Sequence, residues 1–114
     1  MNRSIPAALL LLALLAGCSG EEVATPSAVA TTTVDLPKSY RFEPAAIEVA
    51  VDATVTWTNH DEFRHNVAVD GEGPLAMKPG ESVTRAFPTA GTFAYTCSLH
   101  PREMQGSVAV TDPG

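Results

Sequence analysis

The chain has 114 residues, with 13 Asp and Glu against seven Lys and Arg, giving a formal charge of −6 with neutral histidines. That length suits one small domain, and so acidic a chain, with no basic stripe, excludes a surface built to neutralise nucleic-acid phosphates. Only three histidines and two cysteines are present, too few for an enzyme assembled from several metal centres.

The chain opens with one cation, Arg3, followed by an uncharged apolar run from Ala7 to Ala16 and then Gly17-Cys18. The run is too short to cross a bilayer as a permanent helix and reads as an export signal over residues 1–17. A cysteine directly after Leu15-Ala16-Gly17 resembles the lipobox of bacterial lipoproteins. The resemblance implies that Cys18 is lipidated on its sulfur, becomes the new N-terminus and is acylated there, which holds the protein at a membrane surface rather than across it. An ordinary secretory signal with an incidental cysteine is the alternative. Loss of residues 1–17 removes only Arg3, leaving six cations against 13 acids and a formal charge of −7. Residues 18–33 are mostly Ser, Gly, Glu, Ala, Thr and Pro; they cannot build a core and read as a linker between lipid and domain.

From Val34 to Gly114 apolar residues alternate in short runs. Ile47, Val49 and Val51 share one face; so do Val55 and Trp57, Val67 and Val69, Val83 and Phe87, Phe93, Tyr95 and Cys97, and Val108 and Val110. Period two predicts half-buried strands. Breaks fall at Asp52-Ala53, Gly71-Glu72-Gly73-Pro74, Pro79-Gly80, Ala90-Gly91 and Pro101, residue types that turn chains for steric reasons. The spacing predicts an all-β, Greek-key β-sandwich in a single domain, with Trp57 and Phe87 filling its core.

With Cys18 committed to lipid, Cys97 is the one thiol left to the domain, and a lone thiol in an oxidising compartment is a liability unless it is buried or held by a metal. Cys97 ends the inward face begun by Phe93 and Tyr95, and a buried thiolate needs a cation to hold its charge. His100 follows after a two-residue turn, so both side chains can meet one ion. His65 has the inward parity of Val67 and Val69, whereas His60, between Asn59 and Asp61 in a polar turn, reads as surface. Two imidazoles, a thiolate and the thioether of Met104 compose the donor set of a mononuclear blue-copper site. A structural zinc site, a buried structural cysteine and a Cys-His nucleophile remain as alternatives, the last without an orienting third residue or an oxyanion loop.

Phe42-x-Pro44, Ile47-x-Val49, Val55-x-Trp57-x-Asn59-x-Asp61, His65-Asn66-Val67, Pro79-Gly80 and Tyr95-x-Cys97-x-x-His100-Pro101 resemble the plastocyanin, amicyanin and halocyanin branch of the cupredoxins over nearly all of the chain after the linker. The resemblance implies one type 1 copper ion, with His65, Cys97 and His100 as equatorial ligands and Met104 as the axial one. It implies that Asn66 ties the two ligand segments together. Three residues separate His100 from Met104, where relatives with His-Pro usually leave two and plastocyanins four; Met77 is an alternative sulfur. The implied function is one-electron transfer, not enzymatic turnover, through His100 to a transient redox partner such as a cytochrome or another copper or haem protein. Leu99, Pro101, Pro74 and Met77 are candidates for the apolar docking patch. The expected location is the cell envelope, as a lipid-anchored monomer on the periplasmic side or an outer membrane face. The competing function is copper binding and delivery without electron transfer.

Overall fold

A computed structural model describes residues 27–113. The expected signal segment, Cys18 and most of the expected linker lie outside the described residues. Among the described residues, nine strands form two facing sheets: β1 (Val29–Ala30), β2 (Thr33–Leu36), β3 (Ala46–Ala50), β4 (Ala53–Asn59), β5 (His65–Val69), β6 (Leu75–Met77), β7 (Ser82–Phe87), β8 (Gly91–Thr96) and β9 (Gln105–Thr111). One sheet has the order β1-β3-β9-β8-β5-β6 and the other β2-β4-β7. β3 runs parallel to β9 and β2 parallel to β4, while β8 pairs antiparallel with both β5 and β9.

The alternation read from the sequence is the alternation of burial. Ile47 and Val49 point inward from β3, Val55 and Trp57 from β4, and Val108 and Val110 from β9, with partly or fully exposed residues between them. Trp57 is wholly buried and Phe87 nearly so, as core filler should be. Each such side chain contributes roughly 1.5–3 kcal/mol of hydrophobic stabilisation. The turn between β3 and β4 passes from one sheet to the other through Asp52 at φ 74°, a left-handed conformation that Asp tolerates.

One boundary moves. β1 lies inside the stretch expected to be linker, so the sandwich begins upstream of Val34. Val29 and Ala30 are exposed and join the edge of β3 through parallel backbone pairing, which needs no apolar side-chain pattern to announce it.

The register gathers four connections at one end of the sandwich. His65 opens β5, Met77 lies opposite it on β6, Cys97 follows β8 and Met104 precedes β9. The loops 37–45, 60–64, 78–81 and 97–104 therefore share this end, and the turns 51–52, 70–74 and 88–90 lie at the other.

Beneath the site end sits Tyr95, ring edges against Trp57 and Phe42 at 5.3 and 4.8 Å between centroids. Its hydroxyl donates to the Ala45 carbonyl at 3.0 Å, joining β8 to the loop before β3. Burial pushes the phenol up to about 12, so it stays the neutral donor this bond requires. Gly106 makes the arrangement possible: a Cβ there would lie 2.3 Å from the Tyr95 ring and 2.5 Å from the Ala45 oxygen. Gly106→Ala is expected to destabilise the domain by about 3 kcal/mol or more, because backbone and ring must part and the buried hydroxyl loses its acceptor. Urea denaturation of the metal-free domain measures this.

Candidate metal centre

His65 is fully buried, and each of its ring nitrogens has an assigned direction. Nε2 donates to Asp61 Oδ2 at 2.7 Å, while Nδ1 faces Cys97 Sγ at 3.8 Å. A carboxylate on one nitrogen fixes the proton there and leaves the other lone pair free for a metal. The 3.8 Å gap also has a meaning. Bonds of about 2.3 Å to sulfur and about 2.0 Å to nitrogen, opened by about 110–120°, place the two donor atoms about 3.5–3.8 Å apart, so this pair is spaced to share one first-row ion.

Asp61 is held from several sides. Its amide N–H donates to Asn59 Oδ1 at 2.9 Å, and Glu62 N–H donates to Asp61 Oδ1 at 2.7 Å. Burial pushes the Asp61 carboxyl up, but the bond and charge of His65, with the backbone N–H groups of Glu62 and Tyr40, outweigh it and hold the group below the usual carboxylate range. Asn59, wholly buried, donates through Nδ2 to the carbonyls of Phe63 at 2.8 Å and Met77 at 3.1 Å, bracing the loop that leads into His65.

Cys97 is buried without a disulfide among the described residues. Its sulfur accepts the Asn66 backbone N–H at 3.4 Å. The Asn66 side chain is bidentate toward Ser98: Nδ2 donates to Ser98 Oγ, and Ser98 N–H donates to Asn66 Oδ1, both at 2.8 Å. One asparagine thus clamps the start of β5 to the loop after β8.

That loop closes on itself through the residues of interest. His100 N–H donates to the Cys97 carbonyl, Met104 N–H to the His100 carbonyl and Cys97 N–H to the Met104 carbonyl, at 3.0, 3.0 and 3.1 Å. The unusual three-residue spacing between His100 and Met104 is the spacing that a five-residue α-turn requires, the bond running from N–H to the carbonyl four residues before. Met104 is fully buried, and His100 is half-buried with its ring centroid 5.6 Å from that of His65.

The structure adds an aromatic contact that the sequence did not announce. Ser39 and Tyr40 adopt left-handed φ values of 87° and 56°, and the Tyr40 ring rests 4.6 Å from His100 and 5.7 Å from His65. Phe63 stacks on Tyr40 at 5.6 Å and is half exposed, like Leu99. Pro101 is also exposed at this end. The other two docking candidates are corrected. Met77 is wholly buried, because its strand faces it inward opposite His65. Pro74 lies in the turn at the far end of the β5–β6 hairpin, three residues from Met77. His60 is exposed and hydrogen-bonded to Asp35.

Residues 28–111 match the family model for copper-binding proteins of the plastocyanin/azurin family. The chain belongs to that family. Its cofactor is one type 1 copper ion, and the cysteine, imidazole and thioether donors gathered here suit such an ion. The chain is 35% identical over 83 residues to plastocyanin of Scenedesmus fuscus, an alignment covering 60% of this chain and 85% of that protein. It is 39% identical over 85 residues to amicyanin of Paracoccus denitrificans, covering 68% of this chain and 63% of that one. Among solved structures, a purple cupredoxin from Nitrosopumilus maritimus superposes with a TM-score of 0.64 at 26% identity, covering 71% of this chain and all of that chain. A Cu(I) amicyanin variant gives 0.61 at 35% identity, covering 69% and 80%.

Asp61 supplies a test that does not depend on copper. Because its folded pKa is lowered, its stabilisation is present above the unfolded value near 4 and is lost as pH falls through the folded one. Asp61→Asn is expected to flatten the acid limb of the stability profile of the metal-free protein. Asp61→Ala, which leaves a buried His65 N–H without an acceptor, should cost about 1–3 kcal/mol and weaken copper binding by about 10–100-fold. Urea titrations across pH and competitive copper titration measure the two effects.

Proposed function

We propose that this cupredoxin is a one-electron carrier in the cell envelope, with His65, Cys97 and His100 as the strong copper ligands and Met104 as the axial one. The observation that carries the reading is the preset geometry of the donors: His65 Nδ1 is turned to Cys97 Sγ by the Asp61 bond, and the remaining two candidates are knotted into one loop by their own backbones. Bound copper supplies the one-electron couple between Cu(I) and Cu(II), and the mixed soft and imidazole donors suit both states.

The protein's own part is to hold that donor set still. Asp61 and Asn59 fix the His65 ring, Asn66 fixes the Cys97 sulfur, and the sandwich beneath leaves little freedom for rearrangement. Water is kept from Cys97, Met104 and His65, all fully buried, while half-buried His100 reaches toward the surface. His100 is the proposed electron exit, framed by Leu99, Pro101, Phe63 and Tyr40. A small apolar contact with charged surroundings favours fast encounter and fast release with a transient redox protein. The closed, rigid loop favours electron transfer over copper delivery, which needs a site that opens. Export and lipidation at Cys18 complete the proposal.

The test is the visible and EPR spectrum of the domain with Cu(II), with Cys97→Ser as control, followed by voltammetry. Intense thiolate-to-copper absorption, lost in the variant, and a reversible one-electron wave are expected. A pale, ordinary Cu(II) spectrum would overturn the ligand assignment, and Cu(I) retention without a reversible wave would favour copper delivery.

A further inference from the structure

The chain enters the sandwich at the end that carries the proposed copper ligands. β1 runs parallel to β3 with Val29 opposite Ile47, and β3 starts beside Ala45, whose carbonyl accepts both the Tyr95 hydroxyl and the Ser107 N–H. Ser27 and Ala28, preceding Val29, therefore lie on the ligand side. In the sheet order β1 is two strands from β9 and three from β8, the strands that the 97–104 loop joins, a lateral offset of about 10–14 Å. Cys18 lies nine residues before Ser27, so the polypeptide between them can span at most about 30 Å. Entry at the opposite end would have added the length of β9, seven residues or about 24 Å, between lipid and ligands.

Charge is distributed in the same sense. The loops of the ligand end hold five of the six cations of the described residues, Lys38, Arg41, Arg64, Lys78 and Arg102, balanced by as many acids. Asp35, bonded to His60 and bridged to Glu43, brings this end to −1, and the rest of the described chain has Arg85 against five acids, a net −4. An anionic membrane surface repels that part more strongly than the nearly balanced end. Among the described residues the exposed large apolar side chains agree: Phe63 and Leu99 are on these loops and Val29 is at the point of entry.

We infer that the domain turns its ligand end toward the membrane holding the Cys18 lipid, and that its redox partner is a protein embedded in or attached to that same membrane. The inference rests on the proposed lipidation of Cys18. A partner free in solution would meet the face mostly from the membrane side, where access is poorest. A partner in the same bilayer meets it at the high effective concentration a short tether provides.

The experiment uses the full chain, with lipid on Cys18 verified by intact mass, in its Cu(I) form in phosphatidylglycerol nanodiscs bearing a gadolinium-chelate headgroup. Amide relaxation is expected to be enhanced severalfold more in loops 60–64 and 97–104 than in turns 70–74 and 88–90. Equal or reversed enhancement would overturn the orientation alone. A mass without lipid would overturn the anchoring reading, and this inference with it. Strong enhancement at Phe63 and Leu99 from a label deep in the acyl chains would show lipid itself occupying the face and overturn the protein-partner assignment. For that assignment, electron exchange with a ferrocene-headgroup lipid in the same bilayer is compared between the Cys18-anchored chain and a Cys18→Ser, Pro113→Cys variant coupled to a maleimide lipid. The second anchor lies just past β9, at the opposite end, and should slow exchange by about tenfold or more; equal rates would overturn the inference.

Discussion

Asn66 is the constraint on which the rest of the site depends. Its backbone N–H meets Cys97 Sγ and its side chain takes both hydrogen-bonding groups of Ser98, across 32 residues of sequence. His65, immediately before it, and Cys97, immediately before Ser98, are thereby placed at one spacing. Were this clamp absent, the two segments would still belong to neighbouring strands, since Ala68 pairs with Thr96. Strand pairing alone, however, stops short of the proposed ligands and would leave His65 and Cys97 to sample several separations.

Around that clamp the protein divides the work between two kinds of element. The sheets supply stiffness: β8, paired with β9 along its whole length, and β9 carry the ends of the 97–104 loop. The loops supply chemistry, and each is tied where it would otherwise move. Asn59 binds the Phe63 and Met77 carbonyls, Asp61 binds His65, and the 97–104 loop binds itself. A left-handed tyrosine is costly, on the order of 1–2 kcal/mol, and persists only where its surroundings over-determine it. Here Tyr40 is fixed by stacking on Phe63 and lying against both imidazoles. These ties hold the proposed donor set through contacts within the protein itself, an arrangement that suits the proposed one-electron carrier.

Much of this was legible in the sequence, because strand parity carries depth. His65 shares parity with Val67, and Cys97 with Tyr95, and both lie inside; the turns fall where Gly, Pro and Asp mark them. What parity could not carry was the interior of loops. Asn59 and Asp61 read as a polar turn, yet they are buried at 0% and 5% exposure, because they satisfy each other, His65 and two carbonyls. The spacing of Asp61 four residues before an inward histidine was the available signal. Tyr40 gave none, since its contact depends on two left-handed residues and on loops distant in sequence. Met77 misled because a three-residue strand is too short to display alternation, and Pro74 because its hairpin turns at the far end.

The hold that these ties give the proposed ligands is tested by X-ray absorption at the copper edge in both oxidation states. It predicts the same set of one short sulfur and two imidazole nitrogens in Cu(I) and Cu(II), with distances changing little on reduction. Loss of an imidazole or a marked lengthening of the sulfur bond between the two states would contradict it.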